Sequence, residues 1–395
     1  MPVSRIVAVL FLLAATSVSA AERHLHLEIG DPDRAQKETT IGVDLLVDTT
    51  SGEILSPVEL AAALADTGIL FVGESHTDIE FHRVQLRVLE ELVAAGRDVL
   101  IGLEMYPYTE QKYLDAWVGD EYSEQEFLDE SSWYDKWGYH WGYYRDIFEL
   151  ARQHELPMFA INAPRDVVRS VRKKGFDNLT EEEANHIPTS IDVDSDEQRQ
   201  MFRAMFDEED EMHMNMTEEQ WEGMFLAQCT WDATMGFNAV KALEAHGGEN
   251  AIMVVLIGSG HVAYGLGIER QAKQWFDGQM ASLIPISTAN GDGERIERVQ
   301  SSYANYLWGL PAATDPFYPS LGMSAIKMGE DPYRQVVYVG EDTVAERAGI
   351  QLGDVLLTMD GVDLVDKEAF NRTVAGRHWG CLLYTSDAAD DDYTV

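Results

Sequence analysis

Glutamate and histidine side chains stand at the ends of separate apolar runs of the sequence, where they could do acid–base chemistry. Glu74 and His76 follow the first run, and Glu104 lies at the end of the second. Arg165 comes just after the third run and His261 just after the fourth. Carboxylates and imidazoles are the groups that enzymes use most often as general acids and bases. Because positions 74 and 76 are two apart, an extended backbone would point both side chains the same way.

These apolar runs predict the strands that must position the polar residues. They are short and bounded by glycine or polar residues, which is typical of strands buried in a parallel sheet. Helical segments alternate with them, so we expect an α/β domain with a mostly parallel sheet and helices on both faces. Ligands of such sheets bind outside the carboxyl ends of the strands, and the polar residues should gather there. The predicted strands cover residues 68–73, 98–105, 157–163, 251–258 and 281–287.

Two of the predicted helices have N-terminal capping signals. Thr77 and Glu80 predict a capping box before a helix over 78–95. Thr217 predicts the start of a long helix that reaches about residue 246.

The inward, apolar face of this long helix also carries polar residues, among them Gln228 and Asp232. A carboxylate on such a face usually has a partner. Arg165 or a site histidine could pair with Asp232, and so could Gln228 one helical turn away.

The composition excludes some classes of partner. The chain has 395 residues, with 29 Lys and Arg against 69 Asp and Glu, a formal net charge of −40. We therefore expect neither a nucleic-acid partner nor adhesion to an anionic membrane surface, because both need an excess of basic residues. The 45% hydrophobic content and the length predict one large and one small folded domain.

Residues 1–21 are predicted to be a secretory signal peptide. Arg5 supplies a positive start, residues 6–15 form an apolar stretch, and Val18-Ser19-Ala20 is a small-residue cleavage site. The apolar stretch is shorter than the roughly 20 residues that span a bilayer. We expect a periplasmic or secreted protein with no transmembrane segment after signal removal.

Five motifs together resemble the ChaN-type haem-binding uptake family of the Tiki superfamily. They occur in order between residues 68 and 268, and the predicted domain extends over residues 22–303. The resemblance implies an α/β core with helical cover and a role in haem or iron acquisition at the bacterial envelope. The motifs are GILFVGESHTDIEFH, VLIGLEMYPYTEQKYLDAW, WGYYRDIFELARQHELPMFAINAPR, FLAQCTWDATMGFNAV and VVLIGSGHVAYGLGI.

For haem, the resemblance directs attention to histidine, tyrosine and an aromatic surface. The stretch 133–144 is rich in Trp and Tyr and could hold the macrocycle, or it could be an aromatic face packed on the sheet. The candidate haem-binding residues are His76, His140, Tyr143, Tyr144 and His261.

Related branches of the superfamily are hydrolases, which is the alternative function. Its candidate catalytic residues are Glu74, His76, Glu104, Arg165 and His261. All of these except Arg165 could hold one divalent metal ion that activates water. Without a metal, a glutamate beside a histidine could serve as the base.

Residues 320–380 resemble an incomplete PDZ domain of the bacterial type, joined through a linker at 304–319. The resemblance implies that the loop Leu321-Gly322-Met323 binds the carboxylate of C-terminal peptides or proteins. The closing strands of such a domain are not recognisable. Residues 381–395 resemble a translated sequencing adapter, so we predict a non-native tail there.

Overall fold

The computed structural model describes residues 20–206, 216–290, 293–312, 317–329, 331–341 and 343–378. The predicted tail and nearly all of the predicted signal peptide lie outside the described residues. Within the described ranges, no helix combines the length and apolar character needed to cross a membrane.

The centre of the fold is an eight-stranded sheet. All five strands predicted from the apolar runs belong to it, with ends that differ from the prediction by at most two residues. Across the sheet the strands are Ile54–Leu55, Leu46–Asp48, Tyr306–Leu310, Gln279–Ser287, Thr67–Glu74, Ala251–Gly258, Asp98–Pro107 and Met158–Asn162. Glu38–Thr40 and Arg298–Gln300 form a separate two-stranded sheet.

The large sheet is mixed, so the prediction of a mostly parallel sheet holds for part of it. The strands from Tyr306–Leu310 to Met158–Asn162 pair in parallel. Leu46–Asp48 and Ile54–Leu55 extend the other edge with antiparallel pairing. The expected linker 304–319 is also shorter than predicted, because its residues 306–310 form one of the strands.

Helices cover both faces of the large sheet, and each face has its own buried apolar cluster. Among the described residues before 311, the α-helices are Pro57–Ala63, Ile79–Ala94, Gln111–Val118, Glu124–Glu130, Trp133–Lys136, Arg145–Gln153, Arg165–Lys174, Glu181–Ala184, Asp196–Ala204, Glu218–His246, Ser259–Val262 and Ile268–Ala272.

The two predicted helix starts have different outcomes. Thr217 does begin the long helix, in a capping box with Gln220. The other helix is capped by Asp78, whose side chain accepts from the Glu80 backbone N–H, and not by Thr77. Asp and Thr are both good N-cap residues, and the local sequence alone does not separate neighbouring candidates.

Residues 317–378 form a small β-rich unit. Met323–Lys327, Arg334–Val339 and Val355–Leu356 make an antiparallel sheet, and Thr358–Met359 pairs with Val362–Asp363 across a turn at Asp360-Gly361. The described residues of this unit also include two helices, Val344–Arg347 and Lys367–Ala375. We call this segment the C-terminal unit, and its identity as a PDZ domain stays a prediction.

The C-terminal unit packs on the aromatic stretch 133–144. The ring of Tyr318 stacks on His140 with centroids 3.8 Å apart, and Asn371 Nδ2 donates to the Tyr134 carbonyl oxygen at 2.8 Å. Gly142 makes this contact possible, because a Cβ at that position would overlap the phenol of Tyr318.

Gly142→Ala should therefore loosen the C-terminal unit without unfolding the α/β domain. Overpacking of this kind costs about 1–3 kcal/mol, so limited proteolysis should cut around residues 311–322 several-fold faster than in the wild type. Gly248→Ala is the matched control, since its Cβ would meet only Asp98 Oδ2 at 3.9 Å. Equal cleavage rates for both variants would contradict this packing.

Candidate strand-end site

Three of the predicted site residues surround the end of the central strand Ala251–Gly258. A Cβ placed on Gly258 would lie 3.4 Å from His76 Cε1 and 3.7 Å from both Glu104 Oε2 and His261 Cδ2. The Gly258 backbone N–H also donates to Glu104 Oε2 at 2.8 Å. Parallel neighbours bring these groups together, because Thr67–Glu74 and Asp98–Pro107 flank the central strand.

Glu74 is fully buried and anchors one half of the site. Its Oε1 accepts from His76 Nδ1 at 2.7 Å and from the Tyr144 hydroxyl at 2.8 Å, and its Oε2 accepts from Gln85 Nε2 at 2.8 Å. Burial opposes ionisation, but attraction to His82 and the bond from His76 outweigh it and lower the pKa of Glu74 to about 2.

The hydrogen bond to Glu74 fixes the orientation of the His76 ring. Burial lowers the pKa of His76, but the hydrogen bond and charge of Glu74 outweigh burial and raise it above the ordinary value. Because Nδ1 is engaged by the carboxylate, Nε2 is the ring nitrogen left to bind a ligand or take a proton. The His76 side chain is 28% exposed, so its ring lies at the surface of the site.

His261 anchors the other half. Its Nδ1 lies 2.6 Å from Asp232 Oδ1, and its Nε2 lies 3.5 Å from Glu104 Oε1. Burial alone would lower the pKa of His261, but the nearby Asp232 and Glu104 raise it to about 10. His261 is therefore an imidazolium at neutral pH.

Asp232 thus pairs with a site histidine, one of the partners considered from the sequence. Gln198 Nε2 donates to its second oxygen at 3.0 Å. Gln228 lies beside the same ring nitrogen, with its side-chain amide group 2.8 Å from His261 Nδ1. Arg165 is not its partner.

The aromatic stretch divides into a buried and a half-buried part. Trp133, Trp141 and Tyr144 are buried, so the alternative of an aromatic face packed in the core holds for them. Trp137 and Tyr139 are half-buried, and their ring centroids lie 4.9 Å and 4.7 Å from that of His76.

Glu74, His76, Glu104 and His261 form what we call the His–Glu cluster. Arg165, His140 and Tyr143, which were also predicted as site residues, lie outside it. Arg165 Nη1 donates to the Asp135 carbonyl oxygen at 3.3 Å. His140 Nε2 bonds the Ala375 carbonyl oxygen at 3.1 Å, and the Tyr143 hydroxyl accepts from the Tyr318 backbone N–H at 3.3 Å. His140 and Tyr143 therefore belong to the contact with the C-terminal unit.

The proposed metal ligands Glu74, His76, Glu104 and His261 do not assemble a metal centre. Nowhere in the described ranges do three or more His, Cys, Asp or Glu side chains form a group that could hold an ion. Both oxygens of Glu74 and one of Glu104 already accept hydrogen bonds, so the donor set fits a metal poorly.

Sequence reasoning missed His82 and Gln85, which line the buried side of Glu74. His82 Nδ1 lies 3.7 Å from Glu74 Oε2 and 3.1 Å from Gln85 Oε1. Both residues lie on the buried face of the helix Ile79–Ala94. Polar residues on an apolar face were the signal that singled out Asp232, and the same signal marks this pair.

His261→Ala should destabilise the protein strongly. It would leave the Asp232 and Glu104 carboxylates buried without a cation, which costs about 3–5 kcal/mol in the free energy of unfolding. Because folding raises the pKa of His261 from 6.5 to about 10, this stabilisation is complete below pH 6.5 and is lost as the pH rises through 10.

Denaturant titration of wild type and variant at pH 7 and pH 10.5 measures the effect. We expect the difference in unfolding free energy to shrink at the higher pH. His154→Ala, at an exposed position, is the control. A His261→Ala protein as stable as the wild type at pH 7 would contradict the charge pairing of His261 with Asp232 and Glu104.

Comparison with solved structures places this fold among known ones. A ChaN structure from Campylobacter jejuni, described as showing cofacial haem binding, superposes with a TM-score of 0.52 at 16% identity, covering 67% of this chain and 95% of that chain. An erythromycin esterase variant in its open conformation gives a TM-score of 0.40 at 11% identity, covering 71% of this chain and 98% of that one. No curated protein matches the chain.

The likeness to the ChaN structure shows a shared fold. The family model gives the stronger result, because it matches residues 60–271, more than half of the chain. These residues include the strands that carry Glu74, Glu104 and Gly258. The chain belongs to the family described as haem-binding uptake, Tiki superfamily, ChaN.

Proposed function

We propose that this protein binds haem at the strand-end site, as an envelope protein of the ChaN type that serves haem or iron acquisition. The observation that carries the proposal is a partly exposed histidine, His76, whose Nε2 is available beside the half-buried rings of Trp137 and Tyr139. Family membership supports the ligand, and the predicted signal peptide supports a periplasmic or secreted location.

His76 is the best suited of the candidate axial ligands. Histidine is a common ligand of haem iron, and a carboxylate on its other ring nitrogen fixes the tautomer and strengthens the ligand. Glu74 is in that position. The Tyr144 hydroxyl is already bonded to Glu74, and His261 is held as a cation by two carboxylates, so both would have to give up buried partners to bind iron.

The aromatic rings beside His76 are the second feature of the site that suits haem. Haem supplies an iron centre with axial positions and a flat apolar macrocycle. Trp137 and Tyr139 present aromatic surface next to His76 and exclude water from one side of it.

His76→Ala should weaken hemin binding by at least about tenfold to a hundredfold, because it removes the proposed iron ligand, and losing even a residue that only orients such a ligand costs about that much. Titration of the purified mature chain with hemin, followed by the Soret band, measures this. His154→Ala should bind as the wild type does.

A wild-type protein that gives no Soret shift beyond that of an unrelated acidic protein would overturn the proposed function. Equal affinities of His76→Ala and the wild type would leave haem binding standing and remove His76 as the ligand.

A hydrolase is the second candidate, and the different partners of the two histidines favour it. In its neutral form His76, backed by Glu74, could take a proton from water, while the His261 imidazolium could stabilise negative charge on a substrate oxygen. Glu104 would position both groups, since it lies beside His261 and near His76.

Under this hypothesis, Glu74→Gln should lower the pKa of His76, because the Glu74 charge is what raises it. The acid limb of ester hydrolysis should then move to lower pH, with a rate at least tenfold below the wild type, as expected for a lost positioning carboxylate. Rates against para-nitrophenyl esters from pH 5 to 9 measure it, with Glu53→Gln as an exposed control. Hydrolysis that survives both Glu74→Gln and His76→Ala would rule out this mechanism.

The C-terminal unit is proposed to be the PDZ module, with residues 22–303 as the haem-binding domain. Met323–Lys327 lies at the edge of its sheet, so its backbone could pair with an added peptide strand. Gly322 has φ +69°, which gives the loop Leu321-Gly322-Met323 the turn that a carboxylate-binding loop needs. Partners would be C-terminal peptides or proteins.

A further inference from the structure

We propose that Arg165 and Lys367 form a carboxylate-binding site for the propionates of the porphyrin, shared between the α/β domain and the C-terminal unit. The inference rests on the proposed haem binding and adds the group that recognises the acidic edge of the ligand. Porphyrin carboxylates and side-chain cations make strong charge-assisted hydrogen bonds, and arginine can do so with two parallel N–H groups.

The two cations meet at one backbone oxygen. Arg165 Nη1 donates to the Asp135 carbonyl oxygen at 3.3 Å, and Lys367 Nζ donates to the same atom at 3.0 Å. Arg165 begins the helix Arg165–Lys174 of the α/β domain, whereas Lys367 begins the last helix of the C-terminal unit. Like charges this close repel each other.

Neither cation forms an ion pair within the part of the chain that the structure describes. The Asp135 carboxylate attracts both cations and that of Glu110 attracts Arg165, but neither is within ion-pair distance of them. Glu110 is itself paired with Lys136 at 2.7 Å. What sets Arg165 and Lys367 apart is that both donate to the same backbone oxygen. An anionic ligand would relieve their repulsion.

Arg334 adds to the positive field. Its Nη1 donates to the Ala325 carbonyl oxygen at 3.2 Å, and its buried Nε has no hydrogen-bond partner among the described residues. Burial first, and then Arg165 and Arg334, lower the pKa of Lys367 to about 8. Lys367 is therefore still mostly charged at pH 7.

The pair of cations lies next to the aromatic rings that contact His76. Lys367 Nζ lies 3.0 Å from where a Gly138 Cβ would be, and the residues on either side of Gly138 are Trp137 and Tyr139. Both of these rings contact His76. A metal ligand, an aromatic surface and a pair of cations thus follow one another, as iron, macrocycle and propionates do in the ligand.

A purely structural role is the competing explanation, because Asp135 lies near the C-terminal end of the short helix Trp133–Lys136, where cations are favoured. The two explanations differ in one measurable way. Only a carboxylate-binding site makes the cations matter for hemin and not for the dimethyl ester of the same iron porphyrin.

The test compares the dissociation constants of hemin and iron protoporphyrin dimethyl ester by Soret titration, in the same dilute detergent. The wild type should bind hemin about tenfold to a hundredfold more tightly than the ester, the value of one charge-assisted hydrogen bond. In the Arg165→Gln, Lys367→Gln double variant this ratio should fall to about one. Lys241→Gln, an exposed lysine of the long helix, should keep the wild-type ratio.

His76→Ala should weaken binding of both ligands and leave the ratio unchanged. A wild-type ratio of one, or a double variant that loses affinity for both ligands equally, would overturn the carboxylate site while haem binding stands. Failure of the wild type to bind either porphyrin would overturn the proposed function and this inference with it.

Discussion

The complete burial of two carboxylates, Glu74 and Asp232, is the constraint on which the site depends. An ionised carboxylate can remain inside a protein only if cations and donors replace its hydration. Here each carboxylate is matched with a histidine, at 2.7 Å for His76 and 2.6 Å for His261. The same bonds that satisfy the carboxylates fix the orientation of both rings, so one electrostatic requirement produces both the stability and the geometry of the site.

The sheet makes this arrangement possible by its strand order. The central strand Ala251–Gly258 is buried along its whole length and lies between the strands that end in Glu74 and carry Glu104. Gly258 leaves room at the point where the side chains meet, and Gly73 does the same one strand away, where a Cβ would lie 2.7 Å from Ser259 Oγ. The antiparallel strands at the far edge extend the sheet without reaching the site.

The aromatic stretch links the site to the C-terminal unit. Its buried members pack in one apolar cluster with Phe127 and Phe148, and this rigid base holds Trp137 and Tyr139 against His76. On its other side the stretch receives Tyr318, Lys367 and Asn371. Ligand chemistry at the strand ends and docking of the C-terminal unit therefore act on the same short segment of chain, and a change in one would be felt by the other.

Five strands of the large sheet, the long helix and the polar residues at the strand ends could be predicted from the sequence, because apolar runs and helix caps are local signals. The inward face of the long helix also marked Asp232 as a buried carboxylate in need of a partner. The sequence did not reveal that this partner is His261 or that Tyr144 bonds Glu74 from 70 residues away. It also did not reveal that Arg165 and His140 lie near the C-terminal unit, away from the His–Glu cluster. These contacts depend on strand order and on the path of the loops, and both are settled by long-range packing that no local pattern records.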